Sequence, residues 1–174
     1  MNVSPSLTDD SSSDAAQDAK VEAVPAIELP ALRLRPRELD TLRRAGAAAW
    51  PEPMAGLLLG RATMAVVCVE RVIVLRQDPT RAASRALIRA TDWMAEGLVA
   101  KAQGLELVGA WVARPRGEAR HEVLDASIVR DGLSMLVIAT RDSAADTVEA
   151  LRWERGILCE QTLEVVVPAR VVAA

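Results

Sequence analysis

An α+β or α/β fold, taken here as α+β with a mixed β-sheet flanked by helices, follows from three features of the sequence. Runs of β-branched and aliphatic residues alternate irregularly with segments whose apolar residues recur every three to four positions. The chain has 174 residues, the size of one domain with a sizeable core. Apolar residues make up 51% of it and the formal net charge is only −3, a composition that packs rather than one that stays unfolded. Phe and Tyr are absent, so the core is aliphatic and four Trp are its only large rings.

Residues 1–28 carry Asp9, Asp10, Asp14, Asp18, Glu22 and Glu28 against Lys20, are rich in Ser and Ala, and show no apolar period. They are expected to form a disordered acidic arm ahead of a domain over 29–174, with a short docking segment at Val21–Ile27 as the alternative. Leu32-Arg33-Leu34-Arg35 alternates in the manner of a half-buried strand. Pro36 opens a helix, because proline is well tolerated in a first turn. Leu39, Leu42, Ala45 and Ala49 give that helix one apolar stripe, Gly46 weakens it, and Pro51 and Pro53 close it.

Leu57–Leu59, between Gly56 and Gly60, predicts a buried strand with close backbone approach at both ends. Met64–Leu75 is the strongest strand signal, being rich in β-branched residues, with a bend or bulge at Glu70-Arg71. A polar loop over Arg76–Ser84 and a strand over Arg85–Ala90 follow. Thr91 is expected to cap the next helix, with Asp92 in its first turn, Met94, Leu98 and Ala102 on one face, and Gly104 at its end. Leu105–Ala113 predicts a buried strand, Arg114–Arg120 a loop, Glu122–Arg130 a helix ending near Gly132, and Leu133–Thr140 another buried strand. After a turn over Arg141–Asp146, Val148–Trp153 and Ile157–Val167 predict a hairpin about Arg155-Gly156. No internal repeat is present.

Composition excludes several classes of function. Outside the arm the balance is 20 basic against 18 acidic residues, too weak for a nucleic-acid surface, and rings for stacking on bases are scarce. No apolar run reaches the roughly 18 residues of a membrane span. The N-terminus lacks the basic and apolar regions of a signal peptide, so a cytoplasmic protein is expected. Cys68 and Cys159 lie far apart in apolar surroundings and are expected to be buried free thiols.

The residues that bear on chemistry are two blocks in order: Pro51-Glu52-Pro53-Met54-Ala55-Gly56-Leu57-Leu58-Leu59-Gly60, and Gly109-Ala110-Trp111-Val112-Ala113-Arg114-Pro115 with Asp125 beyond. This frame resembles the JAB/MPN (JAMM) metalloprotease family across Leu32–Val167. The resemblance implies an α/β/α-like, cytidine-deaminase-like arrangement. It also implies a zinc site, whose two His would fall at Val112 and Arg114, whose Ser at Glu122, and whose third ligand at Asp125. The family's catalytic Glu falls on Pro53. Valine has no lone pair, arginine opposes a cation, and proline cannot move a proton. The frame therefore looks like that of a metalloprotease in which both His and the catalytic Glu are replaced and Asp125 alone remains of the three ligands.

Other assignments stand beside this one. Glu52 could replace the base, although a one-residue shift in a strand turns its side chain away. His121, Glu122 and Asp125 could form a relocated metal site; the plainer reading is a surface His beside an acidic helix start. Arg114 and Asp125 could pair in the vacated pocket. Trp50, Trp111 and Trp153 could mark a partner surface, or, with Trp93, simply pack in the core.

The resemblance implies a catalytically inactive scaffold or adaptor of a bacterial pathway, without a cofactor. Its partner would be a ubiquitin-like or sulfur-carrier protein, an E1- or E2-like conjugation enzyme, or another JAB/MPN subunit. The alternatives are an active zinc-dependent peptidase with a rebuilt site, and a structural homo-oligomer joined through apolar strands or the Leu39/Leu42 helix.

Overall fold

In the computed structural model, residues 28–75, 87–115, 129–142 and 144–167 are described. The chain runs β1 (Ala31–Leu34), α1 (Pro36–Ala49), β2 (Met54–Ala62), β3 (Val66–Val74), α2 (Ala90–Ala102), β4 (Glu106–Pro115), β5 (Ser134–Arg141), β6 (Ala144–Glu154), β7 (Ile157–Glu160) and β8 (Leu163–Val165). The fold is α+β, with most of the expected strands and both of the first two expected helices among the described residues.

All eight strands form one mixed sheet in the order β7-β6-β5-β4-β2-β3-β1-β8. The β1–β3, β1–β8 and β4–β5 pairs are parallel and the rest antiparallel. Successive side chains of a strand point to opposite faces, so each central strand feeds two cores. On β2, Ala55 and Leu57 join one core with Val112, Val137 and Trp93 of α2, while Leu58 joins the other with Trp111, Ile138 and Leu42 of α1. Among the described residues one helix therefore covers each face. Helix α1 touches β3 and β6 alike, although three strands lie between them, because the sheet curls about it as a half-barrel.

The curl is fixed where the sheet's two edges meet. β7 and β8 lie at opposite edges, yet only Gln161 and Thr162 separate them in sequence. The Gln161 N–H donates to the Ala150 carbonyl on β6 (2.8 Å), and the Thr162 carbonyl accepts from Leu32 on β1 (2.8 Å). The Gln161 side chain donates to the Pro30 carbonyl at 2.6 Å. Beside this seam Arg33 of β1 pairs with Glu164 of β8. That hydrogen bond and the charge behind it hold the exposed guanidinium above its ordinary range.

Several expectations need correction. The predicted strand over Arg85–Ala90 reduces, among its described residues, to a single bridge at Ile88, and α2 already begins at Ala90. Its N-cap is Arg89 rather than Thr91; Asp92 reaches back to accept the Arg89 N–H at 3.1 Å. Met94 and Leu98 do share a face, but it points outward, at 68% and 72% exposure, while Trp93 and Ala100 are buried. Arg114 and Pro115 extend β4 instead of starting a loop. Val129 and Arg130 are not helical; the rest of the helix predicted over Glu122–Arg130 lies outside the described residues, as do the loop over Arg76–Ser84 and the arm up to residue 27. The turn predicted over Arg141–Asp146 is tight, with Asp142 at φ 49° and β6 resuming at Ala144. The second arm of the predicted hairpin is two strands, β7 and β8. Cys68 and Cys159 are free thiols, but half-buried rather than buried.

On α1 the inward residues are Glu38, Leu42 and Gly46, and Leu39 is only half-buried. Gly46 is needed here: a Cβ would press on the Ala113 and Thr140 side chains of the sheet. The bulge expected near Glu70 is present, since Leu59 faces Arg71 while Gly60 faces Val69 and leaves Glu70 over. Its carbonyl accepts from Arg35 (2.6 Å), which also holds the buried Glu38 carboxylate through two nitrogens, at 2.7 and 3.0 Å.

Gly56 and Trp111 are cross-strand partners. The indole lies across the bare glycine and donates its N–H to the Ile73 carbonyl of β3 at 2.9 Å. A Cβ at Gly56 would collide with that carbonyl and with the ring. Gly56→Ala is therefore expected to destabilise the protein by about 3 kcal/mol or more in chemical denaturation. Trp111→Phe, which removes the indole's hydrogen bond to the Ile73 carbonyl, is expected to cost about 1 kcal/mol in the same measurement.

Candidate functional site

The two sequence blocks of interest become neighbouring strands. β2 and β4 pair antiparallel with Met54 opposite Ala113 and Ala55 opposite Val112, which sets Pro53 beside Arg114 at the same end of the sheet. Across β4, Val112 faces Val137 and Arg114 faces Ala139 on β5. Two rows therefore cross three strands: Ala55–Val112–Val137, and beyond it Pro53–Arg114–Ala139.

Side-chain direction decides what these rows can do. Val112 and Arg114 are two apart on a strand and share a face, the one covered by α2. Val112 has no exposed surface and packs among Ala55, Ala110, Val137 and Trp93. Arg114, at the strand end, is half-buried. The first row is hydrocarbon throughout and offers no lone pair to a cation. Among the described residues no group of three His, Cys, Asp or Glu side chains gathers. Glu122 and Asp125, with His121, lie outside the described residues, so the second half of the expected pocket, the relocated metal site and the acidic end of the Arg114–Asp125 pair are not described.

Glu52 is exposed in the turn after α1, ahead of the strand, and its side chain makes no ion pair there among the described residues. The tryptophans expected to mark a partner surface are mostly core. Trp111 is fully buried on the α1 face and Trp153 and Trp93 are buried on the α2 face; only Trp50, joined to Pro51 by a cis peptide bond, is half-buried. Burial removes Trp111 and Trp153 as contact residues. Trp93 instead stacks under the Arg130 guanidinium, 5.7 Å from its ring centre.

The buried Glu38 and the seam residue Gln161 carry no signal in the sequence, and the apolar face of Met94 and Leu98 does not show there that it points outward. α2 is apolar on both sides, so periodicity alone does not say which face is inside. The pairs Arg35–Glu38 and Gln161–Pro30 depend on close packing that short motifs do not encode.

No protein-family model matches the chain, and no curated protein does. Solved structures do. A protein from Salinibacter ruber, known from a solution structure, is 23% identical over 79% of this chain and 92% of its own, with a TM-score of 0.55. A protein from Desulfitobacterium hafniense is 18% identical over 78% of this chain and 92% of its own, with a TM-score of 0.60. These likenesses establish a shared fold. No described helix is long and apolar enough to cross a membrane.

The aliphatic row makes a direct demand on substitution. Val112→His places an imidazole among methyl groups, and a buried polar group without partners is costly. It is expected to lower stability by about 2 kcal/mol or more without raising zinc affinity, as measured by denaturation with and without zinc chloride.

Proposed function

We propose that this chain is a catalytically inactive JAB/MPN-like protein that works by binding another protein. The observation that carries the reading is the pairing of the two blocks in register, with Val112, buried between Ala55 and Val137, and the half-buried Arg114 standing at the two positions where the resemblance calls for imidazole. A zinc site needs at least three protein ligands, and hydrocarbon supplies none. Pro53, beside Arg114, cannot serve as the general base that such hydrolysis requires. Retention of the strands with loss of the reactive groups suits a domain kept for its surfaces. The partner class that the resemblance suggests is a ubiquitin-like or sulfur-carrier protein, a conjugation enzyme, or a second domain of the same kind.

Metal analysis of the purified protein and cleavage assays on a linear ubiquitin-like fusion test this. The expected result is no stoichiometric zinc and no chelator-sensitive cleavage, with retention of such a modifier or of its conjugation enzyme on the immobilised chain. Stoichiometric zinc that disappears in His121→Ala or Asp125→Ala, together with metal-dependent cleavage, would falsify the inactive reading and favour a rebuilt site.

A further inference from the structure

The two edge strands part company at Gln161. β7 stays on β6, β8 joins β1, and between the outward edges of β6 and β8 lies a cleft of about 600 Å3 lined by Val148, Glu149, Leu151, Glu160, Gln161 and Leu163. The direction of the backbone groups follows from the ladder. Trp153 exchanges hydrogen bonds with Gly132 and Leu133 on the β5 side, whereas Ala150 accepts from Gln161 on the opposite side. Alternation then turns the Val148 N–H and carbonyl and the Ala150 N–H toward the cleft.

β7 pairs with β6 only over Leu151–Glu154, so these three groups have no backbone partner among the described residues. On β8, the Thr162 carbonyl and the Val166 N–H are taken by β1, which leaves the backbone groups of Leu163 and Val165 facing outward. The open edge of β6 at Val148–Ala150 and the start of the open edge of β8 at Leu163 thus border one cleft.

The side chains around it are acceptors. Glu149 pairs across to Val137 and Glu160 to Leu151, which puts both carboxylates on the same face. Both are exposed, and neither has an ion-pair or hydrogen-bond partner among the described residues. Gln161 is 3% exposed, and while its amide nitrogen binds Pro30, its Oε1 has no hydrogen-bond partner among the described residues. A buried carbonyl oxygen left without a donor is costly and calls for one.

We infer that this cleft takes an extended, lysine- or arginine-bearing segment of a second protein as a ninth strand. Such a segment supplies N–H groups and carbonyls to the open edges and cations to Glu149 and Glu160. The chain's own first 28 residues carry six acidic groups against one lysine, the wrong sign for this site. The inference rests on the sheet edges and does not need the inactive-metalloprotease reading, whose zinc and cleavage assays stand or fall separately.

The 174-residue chain is titrated with a fluorescent octapeptide of alternating valine and lysine, and with its valine–glutamate counterpart. The lysine peptide is expected to bind and the glutamate peptide not to. Glu149→Lys combined with Glu160→Lys is expected to weaken binding at least about tenfold with the thermal midpoint unchanged. Val148→Pro, which removes an outward N–H without touching the β5 ladder, is expected to abolish binding. Absence of binding, equal binding of the two peptides, or insensitivity to the charge reversal overturns the proposal. So does binding that emerges only when residues 168–174 are deleted, which makes the chain's own end the occupant. A concentration-dependent dimer dissolved by Val148→Pro assigns the cleft to a second copy and overturns it equally.

Discussion

Seven inter-strand gaps separate β7 from β8 in the hydrogen-bonded order, which is about 33 Å across a flat sheet. The chain covers that separation between Glu160 and Leu163, three residue steps, which reach at most about 11 Å. A flat sheet is therefore impossible and the strands must curl until the edges meet. The hydrogen bonds of Gln161 to β6 and to Pro30, and of Thr162 to β1, hold the closure. The concave side that results is filled by α1, and the small residue at Gly46 lets the helix settle against Ala113 and Thr140.

The remaining features can be traced from this geometry. Curling crowds the concave face, and the one large ring there, Trp111, lies over a residue without a side chain. The bulge at Glu70 adds twist where β3 bends toward β1, and Arg35 satisfies the carbonyl it releases. The convex face carries a second core under α2, where Val112 and its aliphatic neighbours sit. There Val112 is held between Ala55 and Val137 as part of that core.

Much of the fold was legible because its signals are local. Pro36 starts α1, the β-branched run from Val66 to Val74 is a strand, Gly104 takes a positive φ after α2, and Arg155-Gly156 makes the late turn, both residues with positive φ. The bulge at Glu70 was visible as two charges inside an apolar run. What escaped is non-local. Nothing between Cys159 and Leu163 announces that one strand ends on β6 and the next begins on β1, some 130 residues earlier in the chain. Met94 and Leu98 have the spacing of a buried stripe, and only the position of the sheet shows that they face out. Trp111 reads the same in sequence whether it faces a partner or the core. Pro53, Val112 and Arg114 come from two blocks that pair as neighbouring strands, while Glu122 and Asp125 fall outside the described residues.

The burial of the tryptophans has a spectroscopic consequence. With no tyrosine or phenylalanine in the chain, its near-ultraviolet absorption and intrinsic emission come almost wholly from four indoles. Trp111 lies in the core beneath α1, and Trp93 and Trp153 in the one beneath α2. The protein therefore carries a separate optical reporter in each layer. Quenching the Trp111 signal while the other two persist would register an opening of the curl that leaves the convex side intact, without any label being attached.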